Sequence, residues 1–181
     1  MRRFIFIIGG ARSGKSRYAV ELAKRFKARV AFIATSTLSD EEMEERIKQH
    51  KSFGPRRWKV IEEAENVASI LPQLKDRYRV ILIDCLGMLI SNLLVAGLKD
   101  KEIEKRIRIL TRAILKLELI TILVSNEVGA GIVPENPLAR RFRDLIGFAN
   151  QKMAEQADEV ILMQSGLPLR IKGEPVNAKI K

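Results

Sequence analysis

The chain of 181 residues carries one cysteine, Cys85, and one histidine, His50. A single cysteine excludes an internal disulfide framework. Its place after an apolar run fits a small buried residue. Long hydrophobic runs are also missing. The longest apolar stretch, residues 85–98, is broken by Ser91 and Asn92 and falls short of what a membrane span needs, so no membrane insertion is expected. Aromatic residues make up 6%, and no aromatic-rich basic motif of the kind that reads nucleic acid is present. Repeats, low-complexity segments and long linkers are absent as well. Acidic residues are in the minority, 22 against 33 Lys and Arg, for a net charge of +11. The basic residues are spread along the chain, and a basic protein attracts anions of many kinds. The alternating signs over residues 99–112 fit a solvated helix face.

What is present describes a globular protein. Apolar residues at 46% and charged residues at 30%, over this length, imply one domain, residues 1–181, with a proper core. Arg2 and Arg3 precede an apolar run that leads directly into a glycine loop. A signal peptide would not be built from such a strand, and a cytoplasmic protein is expected.

That loop is the most specific feature of the chain. Gly9, Gly10, Ala11, Arg12, Ser13, Gly14, Lys15 and Ser16 fit the phosphate-loop pattern G-x-x-x-x-G-K-[ST] at every fixed position. The apolar run 4–8 before it suits a buried strand. The segment after it has helical spacing, with Tyr18, Ala19, Leu22, Ala23 and Phe26 able to share a face. Glycines let successive backbone N–H groups turn inward around a phosphate, and the helix start adds its own N–H groups and positive dipole end. Lys15 would reach the β- and γ-phosphates and Ser16 a Mg²⁺ ion. The pattern implies a protein that handles a nucleoside triphosphate.

Strands are expected over 4–8, 30–34, 59–61, 80–84, 120–125 and 159–163, with a hairpin-like end near 169–172. Helices are expected over 15–27, 40–51, 67–75, 88–96, 101–116 and 138–157. Ser39 and Glu42 can form a capping box for the second helix. Apolar strands alternating with helices predict an α/β fold: a phosphate-loop NTPase with a mostly parallel sheet covered by helices on both faces. Ligands on such a sheet bind beyond the carboxyl ends of its strands. The Gly9 loop, Thr35–Ser36, Asp84 and Asn126–Glu127 then share one rim.

Asp84 closes an apolar strand, where phosphate-loop enzymes hold Mg²⁺ directly or through water. The alternative is an acid that caps the next helix. His50 ends a very polar helix. A lone histidine is usually a surface or structural residue. Nearby Lys48, Lys51, Arg56 and Arg57 would keep its ring neutral, and a neutral ring nitrogen can attack phosphorus. Residues 125–136 form a rim loop that either shapes a substrate pocket or is a structural turn.

On these residues the chain resembles the bifunctional adenosylcobinamide kinase / adenosylcobinamide-phosphate guanylyltransferase family of cobalamin biosynthesis. The likeness is carried by GGARSGKS at 9–16, AFIATS at 31–36, DEEMEERIKQHK at 40–51, and Pro55, Trp58 and Glu62 at family-like spacing. It continues through SNEVGAGIVPENPLARRFRDLIGFANQ at 125–151 and ADEVILMQSGLPLRIK at 157–172. The resemblance implies phosphorylation of adenosylcobinamide with ATP or GTP. Transfer of GMP from GTP onto that phosphate would follow, through a covalently guanylylated histidine that matches His50. It implies nucleotide contacts at Gly9 to Ser16, at Ala34, Thr35 and Ser36, at Lys51, Ser52, Phe53 and Gly54, and at Glu62 and Asp84. It implies a RecA-like core, Mg²⁺ held by Ser16 and Asp84, a corrinoid substrate and a homotrimer. Gly54 stands where the family often has Arg before the proline, with Arg56 and Arg57 just after, and Asp84 is Glu in some members. Two rivals differ in kind. One is a guanylyltransferase without kinase activity. The other is a nucleic-acid-stimulated ATPase with strongly salt-dependent binding, which gives no reason for the His50 segment.

Overall fold

The computed structural model describes residues 2–36 and 58–174. The helix expected over 40–51, its capping box, and His50, Lys51, Ser52, Phe53 and Gly54 lie outside the described residues.

The apolar runs form strands β1 (Arg3–Gly9), β2 (Val30–Ala34), β3 (Trp58–Glu62), β4 (Val80–Asp84), β5 (Ile120–Asn126), β6 (Glu159–Gln164) and β7 (Leu167–Lys172). They make one seven-stranded sheet in the order β3-β2-β4-β5-β1-β6-β7. Every neighbouring pair is parallel except the β6–β7 hairpin at one edge. The helices among the described residues are α1 (Lys15–Arg25), α2 (Val67–Ile70), α3 (Leu86–Val95), α4 (Asp100–Lys116) and α5 (Pro137–Gln156).

Period-two alternation along each strand divides the core into two layers. Phe4, Phe6, Ile33, Ile81, Ile83 and Leu123 face α3, α4 and α5. Ile5, Ile7, Phe32, Leu82, Ile122 and Val124 face Ala19, Leu22 and Ala23 of α1. The middle strands are apolar on both sides because both sides are covered. In α4 the stripe Ile103, Ile107, Leu110 and Ile114 is buried, while Arg108 and Glu104 form an ion pair at 2.7 Å on its outer side. That face is the solvated one the alternating charges predict.

One expected helix is shorter than its spacing suggests. The helix expected over 67–75 is one α-turn, Val67–Ile70, that tightens into a 3₁₀ turn over Leu71–Leu74. Pro72 lies at the start of that turn; its missing N–H and its ring oppose continuation of an α-helix. The hairpin-like end expected near 169–172 is present as β7, reached through a tight turn in which Ser165 and Gly166 take positive φ values of 51° and 82°.

Asn92, inside α3, ties three elements together. Its Nδ2 donates to the carbonyl oxygens of Thr35 at 2.7 Å and Ala64 at 2.9 Å, just past β2 and β3. Asn92→Leu removes both donors and leaves two carbonyls short of a partner. It is expected to lower unfolding stability by about 1–3 kcal/mol, with an unchanged denaturant slope. Urea unfolding followed by circular dichroism tests this, and a shift under about 0.5 kcal/mol would contradict it.

Candidate active site

The parallel register sets the site. Gly9 pairs with Asn126 on one side and Met163 on the other. Ala34 pairs with Glu62 and Asp84, and Asp84 pairs with Val124. The ends of β1, β2, β3, β4 and β5 therefore form one continuous rim, as the sequence predicts for Gly9, Thr35–Ser36, Asp84 and Asn126–Glu127.

The phosphate loop leaves β1 at Gly9, where a Cβ would sit 2.5 Å from Ser13 Oγ and 2.6 Å from the Met163 carbonyl oxygen. Only glycine fits there. Ala11 and Arg12 are exposed at the tip, and Arg12 takes a positive φ of 53°. Ser13 is buried beneath them, and its carbonyl accepts the Gly166 N–H at 3.0 Å, which joins the loop to the β6–β7 turn. Gly14, at a φ of 87°, is the N-cap of α1, a conformation that suits glycine. Lys15 and Ser16 open α1 and are partly exposed. Lys15 Nζ donates to the Gly10 carbonyl at 2.9 Å, across the mouth of the loop.

Asp84 ends β4, half-buried. The helix after it is capped by Cys85, whose Sγ accepts the Met88 N–H at 3.4 Å. The capping role considered for Asp84 thus falls to its neighbour. Cys85 departs from expectation only in part: the residue is partly exposed at the rim, while its thiol is turned inward, where the Sγ–H donates to Asn126 Oδ1 at 3.4 Å. The Asp84–Cys85 peptide bond is cis. Thr35 is fully buried, and its polar groups bond within the protein. Its N–H donates to the Asp84 carbonyl at 3.0 Å. Its hydroxyl accepts the Cys85 N–H and donates to the Cys85 carbonyl, both at 2.7 Å. Thr35 thereby fixes the turn that carries Asp84. Ala34 and Ser36 are buried beside it, and Glu62 is exposed at the end of β3.

Three contributors carry no sequence signal: Asn92, Asn150 and Arg140. Asn150 is buried within α5. Its Nδ2 donates to the Asn126 carbonyl at 3.0 Å, and its Oδ1 accepts the Ser125 hydroxyl at 2.6 Å. Arg140 donates to the carbonyls of Pro134 at 2.9 Å and Glu135 at 2.6 Å. The loop over 127–136 is thus tied at both ends. The start of α5 was readable, since Asn136 caps it before Pro137.

Among the described residues no cluster of three or more His, Cys, Asp or Glu could hold a metal ion. Ser16, at the start of α1, and Asp84, at the end of β4 on the same rim, offer a hydroxyl and a carboxylate oxygen. That pair suits Mg²⁺, which binds through one or two protein oxygens, substrate phosphates and water.

The family model for cobinamide kinase / cobinamide phosphate guanyltransferase matches residues 5–171. The chain belongs to this family. It is 41% identical to the bifunctional adenosylcobalamin biosynthesis protein CobU of Salmonella typhimurium, over 93% of this chain and 99% of that protein. It is 38% identical to the corresponding CobP of Pseudomonas aeruginosa, over 94% of this chain and 98% of that one. Family membership makes the chain a kinase and nucleotidyltransferase with a general role in cobalamin biosynthesis. Among solved structures, an ATPase of the type III secretion system aligns at a TM-score of 0.57 and 13% identity, over 88% of this chain and 50% of that one. That likeness bears on the fold alone, a mostly parallel sheet flanked by helices. No helix among the described residues is long and apolar enough to cross a membrane.

Burial, and then the Asp84 carboxylate, push the Cys85 thiol from 9.0 up to about 12. The folded chain therefore holds the neutral thiol. The stability this contributes is full below pH 9.0 and is lost as pH rises toward about 12. At pH 8, iodoacetamide should alkylate the folded chain on the order of 10²–10³-fold more slowly than the urea-unfolded chain. Equal rates would contradict this placement of Cys85.

Proposed function

We propose that the chain, as one domain over residues 1–181, phosphorylates adenosylcobinamide with ATP or GTP and then transfers GMP from GTP to the resulting phosphate. Pyrophosphate and adenosyl-GDP-cobinamide are the products. The observation that carries this reading is the phosphate loop at Gly9–Ser16 sharing its rim with Asp84, in a chain of this family.

In the GMP transfer a His50 ring nitrogen attacks the α-phosphorus. The P–N bond forms as the bond to pyrophosphate breaks. An oxygen of adenosylcobinamide phosphate then attacks the same phosphorus, and the P–N bond breaks to release His50. Each displacement is easier than a direct one. Lys15 and the loop amides stabilise charge on the departing pyrophosphate. When bound at Ser16 and Asp84, Mg²⁺ neutralises phosphate charge. Ala34, Thr35, Ser36, Glu62 and residues 51–54 complete the nucleotide site, Thr35 by holding the Asp84 turn. The surplus of 33 basic over 22 acidic residues favours anionic nucleotides. The working form is a homotrimer in the cytoplasm, with corrinoid and nucleotide as partners and no nucleic acid.

Incubation with Mg²⁺ and α-³²P-GTP, followed by denaturation, tests the covalent step. Wild type should keep an acid-labile, alkali-stable label. His50→Ala should keep none, and Lys15→Ala should lose at least about 100-fold in labelling rate. An unlabelled wild type, or a labelled His50→Ala chain, would overturn the guanylylated histidine.

A further inference from the structure

The kinase step removes a proton from an alcohol, and the groups assigned so far bind phosphate, cation or GMP. We propose that Glu127 accepts that proton. The inference rests on the kinase half of the function proposed above.

The first reason is position. β5 lies between β1 and β4 in the sheet. Its end therefore lies between the phosphate loop and Asp84, with Gly9 paired to Asn126 and Asp84 to Val124. Glu127 is the next residue, and its N–H donates to the Gly9 carbonyl at 2.9 Å. No other acidic residue among the described ones has its backbone hydrogen-bonded to the loop's first glycine. Asp84 is matched to the cation. Glu62 ends β3, which β2, β4 and β5 separate from β1. Glu63 follows Glu62 past the end of β3, on the same far side of β2, β4 and β5, and its Oε1 accepts the N–H groups of Glu65 at 3.0 Å and Asn66 at 2.7 Å.

The second reason is preorganisation. Asn150, buried behind the strand, holds the Asn126 carbonyl at 3.0 Å and the Ser125 hydroxyl at 2.6 Å. Asn126 reaches across to Cys85 Sγ at 3.4 Å, and a Cβ on Gly87 would come within 2.9 Å of its Oδ1. The backbone that presents Glu127 is thus fixed from α5, from α3 and from β1. Buried polar networks of this kind are costly unless fully bonded, and when bonded they hold one geometry. The carboxylate itself is partly exposed, and the Gly129 N–H at 2.5 Å orients its Oε1. Beyond it the loop carries Ile132 and Val133, 96% and 60% exposed, an apolar lip at the same end of β5 on which a bulky acceptor can rest.

The step balances without a further reactant. The acceptor O–H bond breaks and its proton passes to Glu127. The freed electron pair forms the O–P bond to the γ-phosphorus as the bond to the β–γ bridging oxygen breaks. The nucleoside diphosphate leaves with the electron pair of that broken bond, and the proton is later lost from Glu127 to water. GMP transfer has no such need, because the attacking groups are a ring nitrogen and an ionised phosphate oxygen. Loss of the Glu127 carboxylate should therefore separate the two activities.

The test uses the full chain as wild type, Glu127→Gln and Glu127→Asp. One assay follows γ-³²P transfer from GTP to adenosylcobinamide across pH; the other follows self-labelling by α-³²P-GTP. In Glu127→Gln, kinase kcat should fall roughly 10²–10⁴-fold. KM for GTP and self-labelling should stay within about 3-fold of wild type. Glu127→Asp, which keeps a carboxylate, should retain more kinase activity than Glu127→Gln. Kinase activity of Glu127→Gln within about 3-fold of wild type would overturn the role of Glu127 alone. So would parallel loss of both activities with weakened GTP binding, which marks a structural residue. A wild type that labels itself yet phosphorylates no alcohol would overturn the kinase reading, and the role of Glu127 with it.

Discussion

The pairing of Gly9 with both Asn126 and Met163 is the constraint on which the rest of the site depends. It places the phosphate loop inside a mostly parallel sheet, between β5 and β6, where the strand ends on either side become its neighbours. The crowding around Gly9 Cα, with Ser13 Oγ and the Met163 carbonyl both closer than a Cβ allows, forces the chain to leave the strand in one direction. The loop then leads into the start of α1 at Lys15, where an anion is best stabilised. Asp84 and Glu127 reach the same rim because their strands run parallel to β1: β5 ends level with Gly9 at Asn126, and β4 ends two residues earlier, at Asp84 opposite Val124.

Around this core, polar side chains hold the rim and apolar ones hold the sheet. Asn92 and Thr35 tie the ends of β2 and β4 to α3, while Asn150 ties the end of β5 to α5. Each contact closes a backbone group that the end of a strand would otherwise leave unpaired. The same contacts set where carboxylates and hydroxyls sit, so a rigid frame carries the reactive groups. Cys85 belongs to the frame: its neutral thiol caps α3 and touches Asn126, and nothing in its placement makes it a nucleophile.

Much of the fold was legible in the chain. Buried parallel strands are apolar on both faces, so runs such as 4–8 and 80–84 stand out, and the loop after the first of them has a fixed spacing. The helix of α4 shows its apolar stripe openly. What was not legible depends on contacts distant in sequence. Asn92 and Asn150 look like ordinary polar residues within helices, and their worth comes from carbonyls that the sheet brings to them. The cap at Cys85 was hidden because Asp84, one residue earlier, is the commoner capping type. The shortening at Pro72 was readable in principle and was outweighed by the helical spacing around it. Half of the candidate site, Gly9–Ser16 with Asp84, follows from motif and strand end; His50 and residues 51–54 rest on likeness to the family.

We propose that one nucleotide site, built on the Gly9 loop, serves both reactions. Equilibrium dialysis with Mg²⁺ and radiolabelled GTP measures this directly, with ATP as competitor and the Lys15→Ala chain as control. The account predicts one GTP per chain, displaced fully by ATP and lost in Lys15→Ala. A second GTP per chain that ATP does not displace, or undiminished binding by Lys15→Ala, would contradict it.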